Sequence, residues 1–229
     1  MDRRRFIRLW QRNVAPPAAQ GVDVFERLAR SYAEPHRRYH NAAHIEQCLR
    51  WLDRYTDQIT DPDAVELAIW FHDACYTPDP RGHEARGAKL FGQLSLGGMA
   101  HDRQRKICTM ILFTTHCGKP QSDEEALLVD IDLASFARPW HQYVIDTAAC
   151  RAERKQVDDA VFCLGQIDFL QSMLARPWFY TSAPFRQHHE AQARRNMARM
   201  VALLQRREQR LRGVRPPPGK TVPPDADAP

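Results

Sequence analysis

The sequence predicts an all-α fold in the form of a single multi-helix bundle. Ala, Leu, Arg, Glu and Gln are abundant whereas Val and Thr are sparse, and this composition favours helices over strands. Apolar residues recur at helical spacing in one segment after another, and no alternating run is long enough to predict a strand. With 43% hydrophobic residues in a chain of 229, there are enough apolar side chains for one large core.

Start signals and apolar stripes place the helices in order. The segments VDVFERLARSYAE, near residue 22, and NAAHIEQCLRWLDRY, from residue 41, each carry one apolar stripe. Asp61 as N-cap and Pro62 as first helical residue begin DPDAVELAIWFHDACY. Ser122 caps SDEEALLVDIDLASFA, whose first turn is acidic. Further helices are predicted at about 84–96, 101–115, 140–155, 157–175 and 184–211.

Two terminal segments differ from the predicted helical domain, which spans residues 21–212. Residues 1–20 are predicted to be a loose N-terminal arm that ends in APPAAQ. Residues 213–229 contain six of the 16 prolines and almost nothing apolar, so they predict a disordered Pro-rich tail.

Charge and cysteine content limit the classes of function. The net charge of +5 comes mainly from arginine, and both an anionic ligand and a mixed solvated surface account for it. The six cysteines form no CxxC pair, no secretory signal is visible, and no apolar run is long enough for a membrane span. We therefore expect a cytoplasmic protein with reduced thiols and no membrane partner.

Three clusters of histidine and aspartate interrupt apolar helical patterns. They are His40 and His44 in YHNAAHI, His72 and Asp73 in AIWFHDACY, and Asp130 and Asp132 in LLVDIDL. Burying such groups is costly without a partner, and no basic residue nearby is an obvious one. Imidazole and carboxylate together suit a divalent ion such as Mn, Fe, Co, Ni, Mg or Zn. Adjacent helical residues diverge by about 100°, so His72 and Asp73 would have to straddle the ion.

The order of these clusters resembles the HD superfamily of metal-dependent phosphohydrolases. The segments EPHRRYHNAAHIEQCL, WFHDACY, HEARGA, TTHC and DIDLASF resemble its bacterial branch of predicted HD phosphohydrolases, and the similarity covers most of residues 30–200. The resemblance implies an all-α fold and a divalent metal ion whose activated water attacks a small phosphoester. Nucleotides are one substrate class that it implies.

The resemblance also implies a set of metal ligands. They are His44, His72, Asp73 and one of Asp130 or Asp132. We favour Asp132, because DIDL is similar to the DAD-type motif in which the second aspartate coordinates; Asp130 would then orient a ligand or cap a helix. His44 is favoured over His40, which is expected to contact substrate or to support a ligand.

Two further residues have alternative interpretations. His116 in TTHC is similar to a histidine that serves a second ion in two-metal relatives, but Cys117 stands where another histidine often follows. His116 is therefore either a second-metal ligand or a core residue. Glu84 in GHEARGA is either a general acid or base or a carboxylate favoured at a helix N-terminus. His83 and Gly87 replace the Asn and Ser of the family's pattern.

A phosphorylated substrate requires positive groups beside the metal. Arg37 and Arg38 directly precede the histidine helix and are the first candidates. Tyr76 borders the expected site and is a candidate pocket residue. Further candidates on later helices are Arg151, Arg154, Arg194 and Arg195.

Two other functions compete with phosphoester hydrolysis. Some HD-type proteins are mixed-valence di-iron oxygenases, which need a complete two-metal ligand set. The arginine-rich helix EAQARRNMARMVALLQRREQRLRGVR could track nucleic-acid phosphates. It contains no interleaved aromatic residues, however, and this favours a solvated helix face over a nucleic-acid partner.

Overall fold

The computed structural model describes residues 1–77 and 81–213, and every regular element within them is helical. The ten α-helices of these residues are α1 (Arg3–Asn13), α2 (Gly21–Tyr32), α3 (Ala42–Tyr55), α4 (Pro62–Phe71), α5 (His83–Leu94), α6 (His101–Phe113), α7 (Asp123–Asp132), α8 (Trp140–Glu153), α9 (Asp159–Leu174) and α10 (Ala183–Leu211). Short 3-10 turns follow α3 at Thr56–Gln58 and α7 at Leu133–Ala137. The predicted all-α fold is confirmed.

The predicted caps act as expected at two helix starts. The side chain of Asp61 accepts a hydrogen bond of 3.1 Å from the N–H of Ala64, with Pro62 opening α4. The hydroxyl of Ser122 accepts one of 3.2 Å from the N–H of Glu125 in α7. These bonds satisfy N–H groups that the helix itself leaves without a partner.

Helix α4 occupies the centre of the core. Every residue from Ala64 to Phe71 is buried, and the helix packs against α1, α3, α5, α6 and α7. The Trp70 ring lies 5.1 Å from that of Phe6 and 6.3 Å from that of Phe25. A helix covered on all sides is mostly apolar, and His72 and Asp73, which follow it, are buried as well.

The prediction of a loose arm at residues 1–20 was wrong. Residues Arg3–Asn13 form α1, on which Phe6, Leu9 and Trp10 are buried. These three residues make a narrow apolar stripe at a spacing of three and four. The arginines around them, at positions 3, 4, 5, 8 and 12, conceal the stripe in the sequence. One of these arginines, Arg5, binds the carboxylate of Glu66 on α4 at 2.8 Å, so the charges also attach α1 to the core.

The prediction of a disordered tail at residues 213–229 is not tested by the structure. Of the predicted tail, residues 214–229 lie outside the described residues, and Gly213 follows Arg212, the C-cap of α10. Among the described helices, none combines the length and apolar character required to cross a membrane.

Candidate metal centre

Helix ends, not helix interiors, bring the histidine and aspartate clusters together. His44 lies in the first turn of α3, and Asp132 is the last residue of α7. Helix α4 ends at Phe71, so His72 is its C-cap and Asp73 belongs to the turn that follows. His72 keeps helical backbone angles (φ −59°, ψ −42°), yet its Nε2 atom lies 3.1 Å from Oδ2 of Asp73, so the two neighbouring side chains straddle one point.

Three ligand atoms form a compact triangle. The Nε2 atoms of His44 and His72 are 3.3 Å apart. Asp132 Oδ1 lies 3.2 Å from the first and 3.4 Å from the second. Bonds of about 2.1 Å to one ion, set roughly 90–109° apart, would separate ligand atoms by about 3.0–3.4 Å. These three residues could therefore hold a metal ion.

Asp73 extends the triangle on its buried side. Its Oδ2 atom lies 3.1 Å from Nε2 of His72 and 3.5 Å from Nε2 of His44. That oxygen is buried and has no hydrogen-bond partner. A buried carboxylate oxygen without a donor is strongly unfavourable. An ion between Asp73 and the two imidazoles would remove this penalty, and the residues present fit such an ion.

The hydrogen bonding of His72 fixes the orientation of its ring. Its Nδ1 atom lies 2.9 Å from the carbonyl oxygen of Ile69. Because a carbonyl only accepts, Nδ1 carries a proton and donates it. In the neutral ring, Nε2 then presents a lone pair to the cluster. Metal-binding histidines commonly have this arrangement, with the second nitrogen fixed by a carbonyl.

The charges of the cluster shift its pKa values. Burial opposes the charged form of His72, but the Asp73 and Asp132 carboxylates raise the pKa of its imidazole well above the usual range. Burial likewise raises the pKa of each carboxylate, but His72 and His40 hold the pKa of Asp73 well below its usual range. His116, His44 and His72 have the same effect on the pKa of Asp132. The cluster thus favours two carboxylates with a positive charge between them.

The outer oxygens of the two carboxylates contact further histidines. His116 Nε2 lies 3.0 Å from Oδ2 of Asp132, and its backbone has a positive φ of 57°. His83 Nε2 lies 3.0 Å from Oδ1 of Asp73 and 3.5 Å from Oε1 of Glu84. His116 therefore borders the metal centre, and Glu84 approaches it through His83.

Gly87 permits α5 to approach the end of α4. A Cβ atom at this position would lie 2.4 Å from the carbonyl oxygen of Phe71 and 3.3 Å from that of His72. Real Cβ atoms do not approach backbone so closely, so only glycine fits without movement of the helix. The close packing places the first turn of α5, with His83 and Glu84, beside the metal centre.

Glu153 fixes the segment that leads into α3. Its Oε1 atom accepts hydrogen bonds from the N–H groups of Arg38, Tyr39 and His40, at 2.7, 2.7 and 3.0 Å. Its Oε2 atom lies 2.5 Å from Nδ1 of His40. One face of the His40 ring stacks on the Tyr76 ring, with the ring centroids 4.1 Å apart. His40 is therefore held beside the cluster and lines the adjoining cleft.

Two residues predicted for the site serve other purposes. Asp130 is fully buried on α7 and accepts hydrogen bonds of 2.8 and 2.6 Å from the N–H groups of Thr181 and Ser182. It caps the start of α10 and is not a ligand, although burial raises its pKa to about 6. Tyr76 is 2% exposed. It supports the His40 ring from behind, whereas we expected it to line the pocket.

The arginines predicted to contact phosphate have mostly structural partners. The buried guanidinium of Arg37 donates to the carbonyl oxygens of His40, Asp73 and Ala74, so it joins the two histidine segments and is not free to bind substrate. Arg38 is exposed and contributes its backbone N–H to Glu153. Arg151 and Arg194 pair with carboxylates, and Arg195 donates to a glutamine on its own helix. Arg154 differs from these, since it lines the cleft beside the metal centre.

His83 and Glu153 belong to the site and were not predicted as site residues. His83 is recognisable in the sequence only as a departure from the Asn of the family's pattern. Glu153 lies more than a hundred positions from the amides that it binds, and no local pattern marks it.

No family model, curated protein or solved structure matches the chain. The metal centre is therefore interpreted from its own residues.

Proposed function

We propose that the protein is a metal-dependent phosphohydrolase with an HD-type active site. The observation that carries the proposal is the largely buried group of His44, His72 and Asp132, whose ligand atoms lie 3.2–3.4 Å from one another, with Oδ2 of Asp73 facing the two imidazole nitrogens. The motif order in the sequence supports the same function.

Four residues would hold the ion, namely His44, His72, Asp73 and Asp132. Mn, Fe, Co, Ni and Zn suit their mixture of imidazole and carboxylate, and Mg remains a candidate. A divalent ion bound there supplies two effects: it lowers the pKa of a water molecule and polarises a phosphoryl oxygen.

Side chains of the protein would act as the general acid and general base of the reaction. Hydrolysis forms a bond between the water oxygen and phosphorus and breaks the ester P–O bond, so the leaving oxygen needs a proton. His40 is placed to donate it, because Glu153 binds its Nδ1 atom and the ring lines the cleft. Glu84 remains a candidate acid or base that acts beside Asp73 through His83.

A di-iron oxygenase is the second candidate function. The observation in its favour is that His116 and His83 contact the outer oxygens of Asp132 and Asp73, where a second ion would bind. The metal content discriminates between the two candidates. Two irons per chain favour the oxygenase, whereas one Mn, Co or Ni ion per chain contradicts it.

The proposed substrate is a small phosphorylated molecule, and the proposed location is the cytoplasm. The location is supported by six cysteines that are all free. Nucleic acid is not part of the proposal, because Arg194 and Arg207 of the arginine-rich helix α10 are paired with Glu190 and Asp159.

Metal binding is the first test. Calorimetric titration with Mn²⁺, together with phosphatase assays in Mn, Fe, Co, Ni, Mg or Zn, should show tight binding and metal-dependent release of phosphate. His72→Ala and Asp132→Ala should abolish both. His101→Ala, which removes an imidazole that is 81% exposed on α6, should change neither. Activity or Mn²⁺ binding that survives both cluster substitutions would refute the proposal.

A further inference from the structure

A cleft of about 490 Å³ opens beside the metal centre. His40, His116 and Asp132 line its inner end. The remainder of its wall comes from the segment that follows α7 and from α8 and α9. Its size lies within the range of small-molecule sites.

The outer wall of the cleft is apolar and uncovered. The ring of Phe136 lies 5.5 Å from that of Tyr143 and 6.4 Å from that of Phe169, so the three form one aromatic surface. Phe169 is 39% exposed and Val161 is 61% exposed, and both line the cleft. Aromatic side chains that remain in contact with water in a cleft gain free energy when a flat apolar ligand covers them.

Arg154 is the arginine that lines the cleft, and the described part of the chain places no carboxylate partner on it. It is half-buried, and no carboxylate among residues 1–77 and 81–213 lies within ion-pair distance of it. Arg138 and Arg151, by contrast, pair with Asp146 and Asp159 at 2.8 and 2.7 Å. A half-buried guanidinium without a carboxylate is suited to bind an anionic oxygen of a ligand.

The charge of the cleft limits the number of phosphates. A phosphate monoester carries about −1.5 to −2 at neutral pH, and a triphosphate carries roughly twice that charge. The two charges of a divalent ion are balanced by Asp73 and Asp132, so Arg154 supplies the positive charge that remains, and it suits one phosphate group better than three. A chain of three phosphates would leave unbalanced negative charge beside Asp132, which also lines the cleft.

We infer that the substrate is a phosphate monoester whose organic group has a flat apolar face. The phosphate lies between Arg154 and the metal centre, and the organic group lies against Phe136 and Phe169. The position of the phosphate rests on the proposed function, whereas the apolar preference rests on the cleft alone. Hydrolysis consumes one water and yields inorganic phosphate and the free alcohol.

Phenyl phosphate, glycerol 2-phosphate and adenosine triphosphate are the substrates to compare. We expect kcat/KM to be highest for phenyl phosphate. Phe169→Ala should lower it roughly tenfold for phenyl phosphate and not for glycerol 2-phosphate. Leu164→Ala is the matched control, because Leu164 is also 39% exposed on α9 but does not line the cleft.

Substitutions at two more positions test the charge of Arg154 and the open space beside Gly165. Arg154→Gln should lower kcat/KM roughly 10- to 100-fold for both monoesters, whereas Lys155→Gln removes the same charge from the exposed neighbour and should have no effect. A Cβ atom at Gly165, which lines the cleft, meets nothing within 4 Å. Gly165→Leu should therefore block phenyl phosphate without disturbing the fold, and Gly165→Ala should not.

Binding separates this inference from the proposed function. Calorimetry with phenylphosphonate and methylphosphonate, on the protein as purified and loaded with Mn²⁺, should show tighter binding of the phenyl compound that Phe169→Ala removes. If phosphatase activity is absent but this preference remains, the proposed function fails and the inferred ligand class stands. Equal binding of the two phosphonates, or equal kcat/KM for the two monoesters, would overturn the inference while leaving metal-dependent hydrolysis intact.

Discussion

Replacing Glu153 with glutamine should lower the free energy of unfolding by about 1–3 kcal/mol at pH 7. Burial alone would raise the pKa of this carboxyl group, but His40 and the N–H groups of Tyr39 and His40 lower it to about 2 from the usual 4.5. That difference corresponds to at most about 3 kcal/mol, at about 1.4 kcal/mol per pH unit, and solvent screening reduces it. Glutamine keeps an oxygen for the N–H groups but loses the charge that accounts for this stabilisation.

Urea unfolding at several pH values measures the effect. A carboxyl group whose pKa is lower in the folded protein stabilises the fold above the unfolded pKa, here 4.5, and this contribution is lost as the pH falls towards 2. The difference between the wild-type protein and Glu153→Gln should therefore be constant near neutrality and shrink below pH 4.5. Glu26→Gln, at an exposed position on α2, should stay within about 0.5 kcal/mol of the wild type. A change that small for Glu153→Gln at pH 7 would refute the reasoning.

Three other predictions follow from single contacts. Gly87→Ala should lower Tm by roughly 3–10 °C in a thermal melt, because its Cβ would meet the carbonyl oxygen of Phe71 at 2.4 Å, whereas Gly165→Ala, with open space around it, should not lower Tm. Asp130→Ala should cost about 2–4 kcal/mol of stability by urea unfolding, because buried N–H groups at the start of α10 lose their partner, yet leave the Mn²⁺ affinity within about threefold. Mn²⁺ binding at pH 7 should release about one proton and tighten as the pH rises, because the pKa of His72 is raised well above its usual range and the ion replaces that proton.

A different result would contradict each of these three predictions. An unchanged Tm for Gly87→Ala would show that α5 does not pack closely against the end of α4. Loss of Mn²⁺ binding in Asp130→Ala would make Asp130 part of the metal centre. Titrations in two buffers of different ionisation enthalpy that reveal no proton release would show that His72 is neutral before the ion binds.

The helical fold follows from patterns that are local along the chain. Apolar stripes and the caps Asp61 and Ser122 located the helices closely, because N-caps and periodicity act within a few residues. The N-terminal helix α1 was missed for the same reason. Its apolar stripe is narrow and flanked by arginines, and it is stable only because Phe6 and Trp10 pack into a core built by later helices.

The candidate metal centre could be predicted only in part from the sequence. The motif order indicated His44, His72, Asp73 and Asp132; the structure brings the ligand atoms of His44, His72 and Asp132 together and places Asp73 against the two imidazoles. The motif did not exclude Asp130, because both aspartates of DIDL lie in the same apolar pattern. Only the direction of each side chain at the end of α7 separates the residue that caps α10 from the one that faces the histidines.

The sequence by itself determined the helical class of the fold, most helix boundaries and the residues most suited to bind a metal ion. These properties depend on local spacing and on the chemistry of single side chains. The tertiary structure decided which polar groups satisfy one another across the fold. The Arg37 guanidinium donates to backbone carbonyl oxygens, and the Glu153 carboxylate accepts hydrogen bonds from a loop more than a hundred residues away. Arg154 lines the cleft. Such pairings are decided by which helix ends meet in the folded core, because a buried polar group must find its partner there.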